Sequence, residues 1–421
     1  VNAASDAAIS PRMTLRSRHW LLFILCVTEY VPISLVYTTL PVVLRRAGGS
    51  LEDIGILSMA FLPWALKFLW APLVDRWGSP RLGRYRSWLF ALVPLAAAMM
   101  AGLGFLDLPA LLMQRRALGI SVLVLLTIVC STIDTAAHGI AVVALSPEER
   151  GYANGVQIAG QMVGNLLGGG VAVASIAVWG WRGACFTLAG LYVLPFVAVL
   201  SAREPPFDPS HAALRLGDFV AVVRRPRMTR WLLWLVLFGL AYGLFGVPYQ
   251  AALVDAGLEL TEIGLVQGVV MSVAGLAGGL VAGFLMKRTS RRGAFFACAS
   301  MFAVLLAPSV LTFTVFERAR WALYGGLASA YFGVVAASTV LYAMMMDRSR
   351  NNTASSDFTL QYCVLQVVGF VSWGMGASLA ERVGSGPTLA AALFLALSAL
   401  ALAAIVFRPS DFASTEQRDN P

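Results

Sequence analysis

Residues Arg46-Ala47-Gly48-Gly49-Ser50-Leu51-Glu52-Asp53-Ile54-Gly55 return in the second half of the chain as Asp255-Ala256-Gly257-Leu258-Glu259-Leu260-Thr261-Glu262-Ile263-Gly264. The offset is constant and needs no gap. Ala, Gly, Leu, Ile and Gly are identical between the copies, and Asp53 aligns with Glu262. Each copy leads into a long apolar run, and each run ends in a basic loop, Asp75 to Arg86 and Lys287 to Arg292. A unit that repeats at this scale implies a chain built as two similar halves.

Composition names the solvent of those halves. Of 421 residues, 58% are hydrophobic and 13% charged, against about 25% charged in a soluble domain. The mean hydropathy is +0.76. Too few charges remain to cover a soluble surface, which excludes a disordered chain and argues against a soluble enzyme. Cys26, Cys130, Cys185, Cys298 and Cys363 each lie in an apolar run with no CxxC pair or histidine at ligand spacing. They read as buried hydrophobes, and no metal site or cofactor is expected. No Gly-rich phosphate loop follows a strand, so no ATPase unit is expected.

A bilayer core takes about 20 apolar residues per helix. Apolar runs lie near 20–44, 54–74, 87–106, 117–145, 152–178, 183–201, 229–254, 262–286, 294–316, 320–346, 356–380 and 387–407. The first is too long for a signal-peptide core, so no cleaved targeting segment is expected. With the N-terminus inside, 22 basic residues fall on the cytoplasmic side and eight on the other, which explains the net charge of +9 without a nucleic-acid partner and places both termini in the cytoplasm. Pro32, Pro41, Pro63 and Pro248 mark kinks or unwound turns.

The sequence therefore predicts an all-α membrane protein of twelve transmembrane helices in two pseudo-symmetric six-helix bundles, the layout of a major-facilitator transporter. The expected units are a tail at 1–18, a first bundle at 19–201, a linker at 202–228, a second bundle at 229–407 and a tail at 408–421. Ala212 to Val223 in the linker has the spacing of an amphipathic helix on the membrane surface. A monomer in contact with lipid is expected.

Charges inside spans are costly and face a cavity or one another. Glu29, Lys67, Asp134 and His138 stand about 11–17 Å from the cytoplasmic ends of their spans, at comparable depth in the first half. Asp134 and His138 are four residues apart and share a helix face. Either they bind part of the substrate or carry a proton, or Lys67 pairs with Glu29 or Asp134 only to hold the bundle together. Asn154, Gln157, Gln161 and Asn165 form one polar stripe, costly against lipid and therefore expected to line a cavity. Span eleven adds Asp357, Gln361 and Gln366, with Gln361 the expected counterpart of Gln157. Tyr30, Tyr37, Trp64, Tyr242, Tyr249, Gln250 and Gln267 complete the cavity candidates; packing is the competing reading for each aromatic. Glycines at 164, 168–170, 275, 278, 279 and 283 would let helices approach and slide.

Pro63-Trp64-Ala65-Leu66-Lys67-Phe68-Leu69-Trp70-Ala71-Pro72-Leu73-Val74-Asp75-Arg76, continued by Gly83-Arg84-Tyr85-Arg86-Ser87-Trp88, resembles the major-facilitator signature of the muropeptide permease and acetyl-CoA transporter group. Thr132-Ile133-Asp134-Thr135-Ala136-Ala137-His138 with Ser146-Pro147-Glu148-Glu149-Arg150-Gly151 resembles its fourth-span signature. In that group an acid commonly stands at the His138 position and an amide at the Ile133 position. Met346-Asp347-Arg348-Ser349 and Asp357-Phe358-Thr359-Leu360-Gln361 resemble the siderophore-permease branch. The resemblance implies import of a metal-loaded siderophore, such as a ferric phenolate–thiazoline chelate, across the bacterial inner membrane with proton coupling. It makes Asp75, Arg76, Arg84, Arg86, Glu149, Arg150, Asp347 and Arg348 candidates for gating loops. Alternatives are import of a muropeptide or another bulky metabolite, export of a drug or siderophore, and a membrane receptor or assembly factor without transport.

Overall fold

A computed structural model describes residues 15–48, 56–202, 204, 223, 226–255, 257, 258, 262, 266–316 and 319–412. Much of both repeat copies, the segment 212–222 and the tail 413–421 lie outside the described residues. Helix α1 (Leu15–Ser34) begins inside the segment expected as a tail. Among the described residues, nine helical stretches are long and apolar enough to cross a membrane. One of them, Pro147–Ser201, has 55 residues, about 80 Å of helix and too long for one crossing. Gly180, at φ +68°, turns it back; that left-handed backbone suits a residue without a Cβ.

Proline and glycine shape the spans as the sequence suggests. Helix α1 holds Pro32 and relaxes into a π turn at Leu35–Thr39 before α2 (Leu40–Arg46). The second apolar run is a broken rod. A 3-10 stretch, Ile56–Phe61, passes into α3 (Leu62–Leu66), a second 3-10 turn (Lys67–Leu69) and α4 (Ala71–Arg76). Pro63 and Pro72 sit in the first turns of α3 and α4, where a missing N–H costs least.

Regular helices follow: α5 (Arg84–Leu103), α6 (Leu108–Gln114), α7 (Arg116–Ala144) and α8 (Pro147–Leu166). A π turn then leads to α9 (Ala172–Leu191) and α10 (Val193–Ser201). After the linker come α11 (Pro226–Asp255), α12 (Met271–Arg288), α13 (Arg291–Thr314), α14 (Arg320–Arg348), α15 (Ala354–Val383) and α16 (Ser385–Val406).

Residues before the linker pack mainly on one another: α1 on α8 and α7, and α5 on α7 and α9. After it, α11 packs on α15 and α16, and α13 on α14 and α16. Glycine governs one approach. A Cβ on Gly160, Gly164 or Gly168 of α8 and its π turn would strike the backbone carbonyls of Phe23, Val27 or Val31, so these glycines seat α8 on α1 of the same half rather than on a sliding surface. Val178, Leu233, Val304, Phe394 and Ile405 project outward, as lipid contact requires. Glu204, at the start of the linker, accepts hydrogen bonds from the N–H groups of Tyr85 (3.2 Å) and Arg86 (2.9 Å) and so caps α5. Burial pushes its carboxyl up, and these N–H groups act against that shift.

Candidate functional site

The halves meet along two lines. On one, α8 lies against α12, where a Cβ added to Gly155 would sit 3.3 Å from the Gly279 carbonyl and one added to Gly283 3.7 Å from the Gly151 carbonyl. On the other, α4 and α7 lie against α15. Both lines are closed at one face, the loop face, which carries the 76–84 loop.

The closure is built from charges and helix ends. Arg150 of α8 donates to Asp347 of α14 at 3.0 Å, and Arg291 of α13 donates to the same carboxylate at 2.9 Å. Arg291 also bonds the Pro147 carbonyl. Its counterpart at the start of α5, Arg84, donates to the Asn352 carbonyl at 2.8 Å. Asp75, 1% exposed, accepts from the backbone N–H groups of Ser355 (3.1 Å) and Ser356 (2.7 Å), from the Ser356 hydroxyl and from Tyr85 (2.6 Å). An anion from one half thus occupies the N-terminus of α15 in the other, where the free N–H groups and the helix dipole favour it.

The remaining gating candidates act within their own half or stay on the surface. Arg86 donates to the last carbonyls of α10, Val199 and Leu200. Glu149 completes a capping box with Ser146 and pairs with Arg18 at 3.2 Å. Arg348 donates to the Asp411 backbone carbonyl and stacks over Trp231. Arg76 is exposed.

Away from the loop face a cavity of about 230 Å³ opens between the halves. Tyr30, Ile33 and Tyr37 of the first span, Phe61 and Trp64 of the second, Tyr242, Gly243, Phe245 and Gly246 of α11, Tyr331 of α14, and Tyr362, Gln366, Gly369, Phe370 and Trp373 of α15 line it. Tyr37 is 40% exposed at the mouth, whereas Trp64 and Tyr362 are 3% and 5% exposed at the floor. The Trp64 indole N–H has no acceptor among the described residues.

Beneath that floor the four buried charges meet. Lys67 is in contact with the Asp134 carboxylate, and His138 Nε2 lies 3.1 Å from the other Asp134 oxygen. Ligand atoms of Glu29, Asp134 and His138 all lie within 4.8 Å of one another. That set could hold a cation, but the Lys67 ammonium already occupies the carboxylate of Asp134. The Lys67 ammonium lies 4.2 Å from the centre of the Tyr362 ring, and His138 stacks on Phe358 with ring centres 4.2 Å apart. Aromatic side chains of one half therefore cover the charges of the other.

The structure brings Tyr30, Tyr37, Trp64, Tyr242 and Gln366 to the cavity and Glu29, Lys67, Asp134 and His138 beneath it. It places other candidates elsewhere. Asp357 is held by Arg350 at 2.8 Å. Gln361 accepts from Trp231 at 2.8 Å and donates to the Asp357 and Met345 carbonyls, which commits both ends of its amide. Tyr249 packs on Phe245 and Phe313. Asn154 donates to the Arg150 carbonyl, and Gln157 lies against Cys26 of α1. Gln161 is buried and Asn165 half-buried, outside the lining of this cavity. The side chains of Gln250 and Gln267 lie outside the described residues. Tyr362, Phe370 and Trp373 were not singled out in the sequence, although Tyr362, Gln366, Gly369, Phe370 and Trp373 recur at helical spacing on one face.

The sequence profile of the Major Facilitator Superfamily matches residues 21–373. The chain is 26% identical to the anhydromuropeptide permease of Escherichia coli K12 over 373 residues, covering 86% of this chain and 74% of that one. Its fold is similar to a bacterial homologue of the iron transporter ferroportin in its outward-facing state (TM-score 0.70, 16% identity, 92% of this chain and 98% of that chain). It is also similar to the human organic anion transporter MFSD10 (TM-score 0.70, 16% identity, 92% and 99%). The chain belongs to the Major Facilitator Superfamily and is a multi-pass secondary active transporter of small molecules across a membrane, not an enzyme.

Proposed function

We propose that this protein imports a bulky organic solute of the muropeptide class across the bacterial inner membrane, driven by protons through alternating access. Twelve spans form two pseudo-symmetric six-helix bundles, 19–201 and 229–407, with both termini and the 202–228 linker in the cytoplasm. The loop face is then cytoplasmic, and the conformation described is open to the periplasm. The carrying observation is the aromatic cavity between the halves, floored by the Lys67–Asp134–His138–Glu29 network and sealed on the loop face.

Aromatic faces such as Trp64 and Trp373 suit the apolar faces of sugar rings, and the free Trp64 N–H suits a solute carbonyl or hydroxyl. The relative that is an anhydromuropeptide permease favours this substrate over the siderophore expected from the sequence. Transport would proceed by opening the Asp347 and Asp75 contacts while the cavity mouth closes. Import of a ferric aromatic chelate is the second reading, supported by the aromatic residues around the cavity.

Uptake of labelled anhydromuropeptide and of a ferric phenolate–thiazoline chelate into vesicles holding the protein, under an imposed proton gradient, separates them. Muropeptide uptake that a protonophore abolishes is the expected result. Chelate uptake alone moves the assignment to the second reading, and uptake of neither overturns both.

A further inference from the structure

Beneath the cavity lies a cation that the aromatic lining does not require. Lys67 is fully buried and pressed on Asp134. The Tyr362 ring, which lines the cavity, lies 4.2 Å from its ammonium. A neutral solute bound by ring faces and hydrogen bonds would gain nothing from a cation there. A buried ammonium keeps its charge only with an anion beside it, and Asp134 is that anion in the solute-free protein.

We infer that the transported solute is an organic anion whose carboxylate replaces Asp134 on Lys67, that Asp134 takes up a proton as it does so, and that Tyr362 is the shutter between them. This rests on the transporter reading above and adds to it the solute group that is recognised, the residue that recognises it and the coupling step. The exchange balances. One proton enters from the water of the cavity and bonds to the Asp134 carboxylate. One carboxylate enters with the solute and pairs with Lys67. The number of charges against the ammonium is unchanged, so the buried site never holds an unpaired ion.

Other groups that face Asp134 fit this role. His138 lies 3.1 Å away on the same helix and is placed to pass the proton. Glu29 on α1 lies within 4.8 Å and remains as a second acid. From α15, Tyr362 and Cys363 face Lys67, and Tyr342 of α14 packs on Tyr362. Among these described neighbours Lys67 is the group able to bind an anion directly. Tyr362 is a positioning residue: with its ring in place the ammonium is shielded, and a side-chain rotation exposes it.

The test uses the purified full-length protein and two probes of one shape, 2-naphthoate and 2-naphthalenemethanol. Quenching of tryptophan fluorescence, with Trp64 and Trp373 at the cavity, reads binding, and a pH dye in weak buffer reads proton exchange. Naphthoate is expected to bind about tenfold tighter than the alcohol near pH 6, with about one proton taken up per anion; the alcohol binds with none. K67Q should bring the two probes within about twofold of each other. D134N should keep the preference for the acid, which separates loss of the resident carboxylate from loss of the cation in K67Q. Y362A should speed naphthoate binding and keep the stoichiometry.

Equal binding of acid and alcohol, acid binding without proton uptake, or no acid binding overturns the inference. The proton measurement on the unmodified protein decides the matter even if a variant fails to fold. Because the assay reads binding of simple probes, it separates from the uptake assay. Muropeptide transport with no proton-linked anion site would leave the proposed function standing and remove this inference; the opposite pair of results would do the reverse.

Discussion

The two lines along which the halves meet close the same face by different means. Along α8 and α12 the contact is steric, with Gly155 and Gly283 facing the backbone of the other half. Its closed end is ionic, with Arg150 and Arg291 sharing Asp347. Along α4, α7 and α15 the closed end is a helix cap, with Asp75 accepting two backbone N–H groups and two hydroxyls. The α8 N-terminus is capped instead by its own Ser146 and Glu149, so the other half has no capping acid to supply there. An arginine-to-carbonyl contact stands on each line, Arg84 to Asn352 and Arg291 to Pro147, while each line has its own latch.

The difference can be broken from either side. The largest effect is expected from D347N, which leaves two arginines without their shared carboxylate. Breaking a buried charge pair costs about 3–5 kcal/mol, enough to open the loop face in most molecules. Spin labels at Leu82→Cys and Thr289→Cys, exposed loop positions in opposite halves, should report a longer distance; an unchanged distance would show that the ion pairs do not hold the face shut.

Next is G155L. A Cβ there already meets the Gly279 carbonyl at 3.3 Å, and the rest of the side chain has no room. Uptake should fall about tenfold or more, as overpacking by roughly 1–3 kcal/mol implies, with the thermal midpoint of the protein little changed. Wild-type uptake would mean that α8 and α12 do not need to meet closely.

D75N keeps one carbonyl acceptor and loses the negative charge at the α15 N-terminus. A shift of about 1–2 kcal/mol toward the open loop face is expected, smaller than for D347N and less sensitive to added salt, because half of its donors are backbone N–H groups. Equal salt sensitivity in the two variants would erase the distinction between the latches. The smallest effect is expected from E204A, which uncaps α5 within the first half. It should lower stability by about 1 kcal/mol in a melting experiment and leave the Leu82–Thr289 distance alone.

Much of this was legible in the sequence because membrane helices are written locally. The apolar runs, the prolines that mark the broken second span and the turn between 178 and 183 all follow from neighbouring residues. The depth of Glu29, Lys67, Asp134 and His138 follows from helical rise, and the structure brings the four together. What could not be read depends on partners distant in sequence. Asp75 is separated from Ser355 and Ser356 by most of the chain, and nothing near Glu204 says that it caps α5. Gln361 and Asp357 looked like cavity residues because polar groups in a span need partners. Trp231 and Arg350 supply those partners inside the protein. The aromatic face of α15 was spaced correctly for a lining, yet aromatic residues at that spacing also describe ordinary packing.

Alternating access through this cavity is tested most directly by the Leu82–Thr289 distance in membranes, with and without anhydromuropeptide, at a pH where uptake runs. The five native cysteines are buried, so the two introduced ones carry the labels. One short distance is expected without solute, and a second, longer population when solute and protons are both present. A single unchanged distance in protein that still transports would contradict alternating access through this cavity.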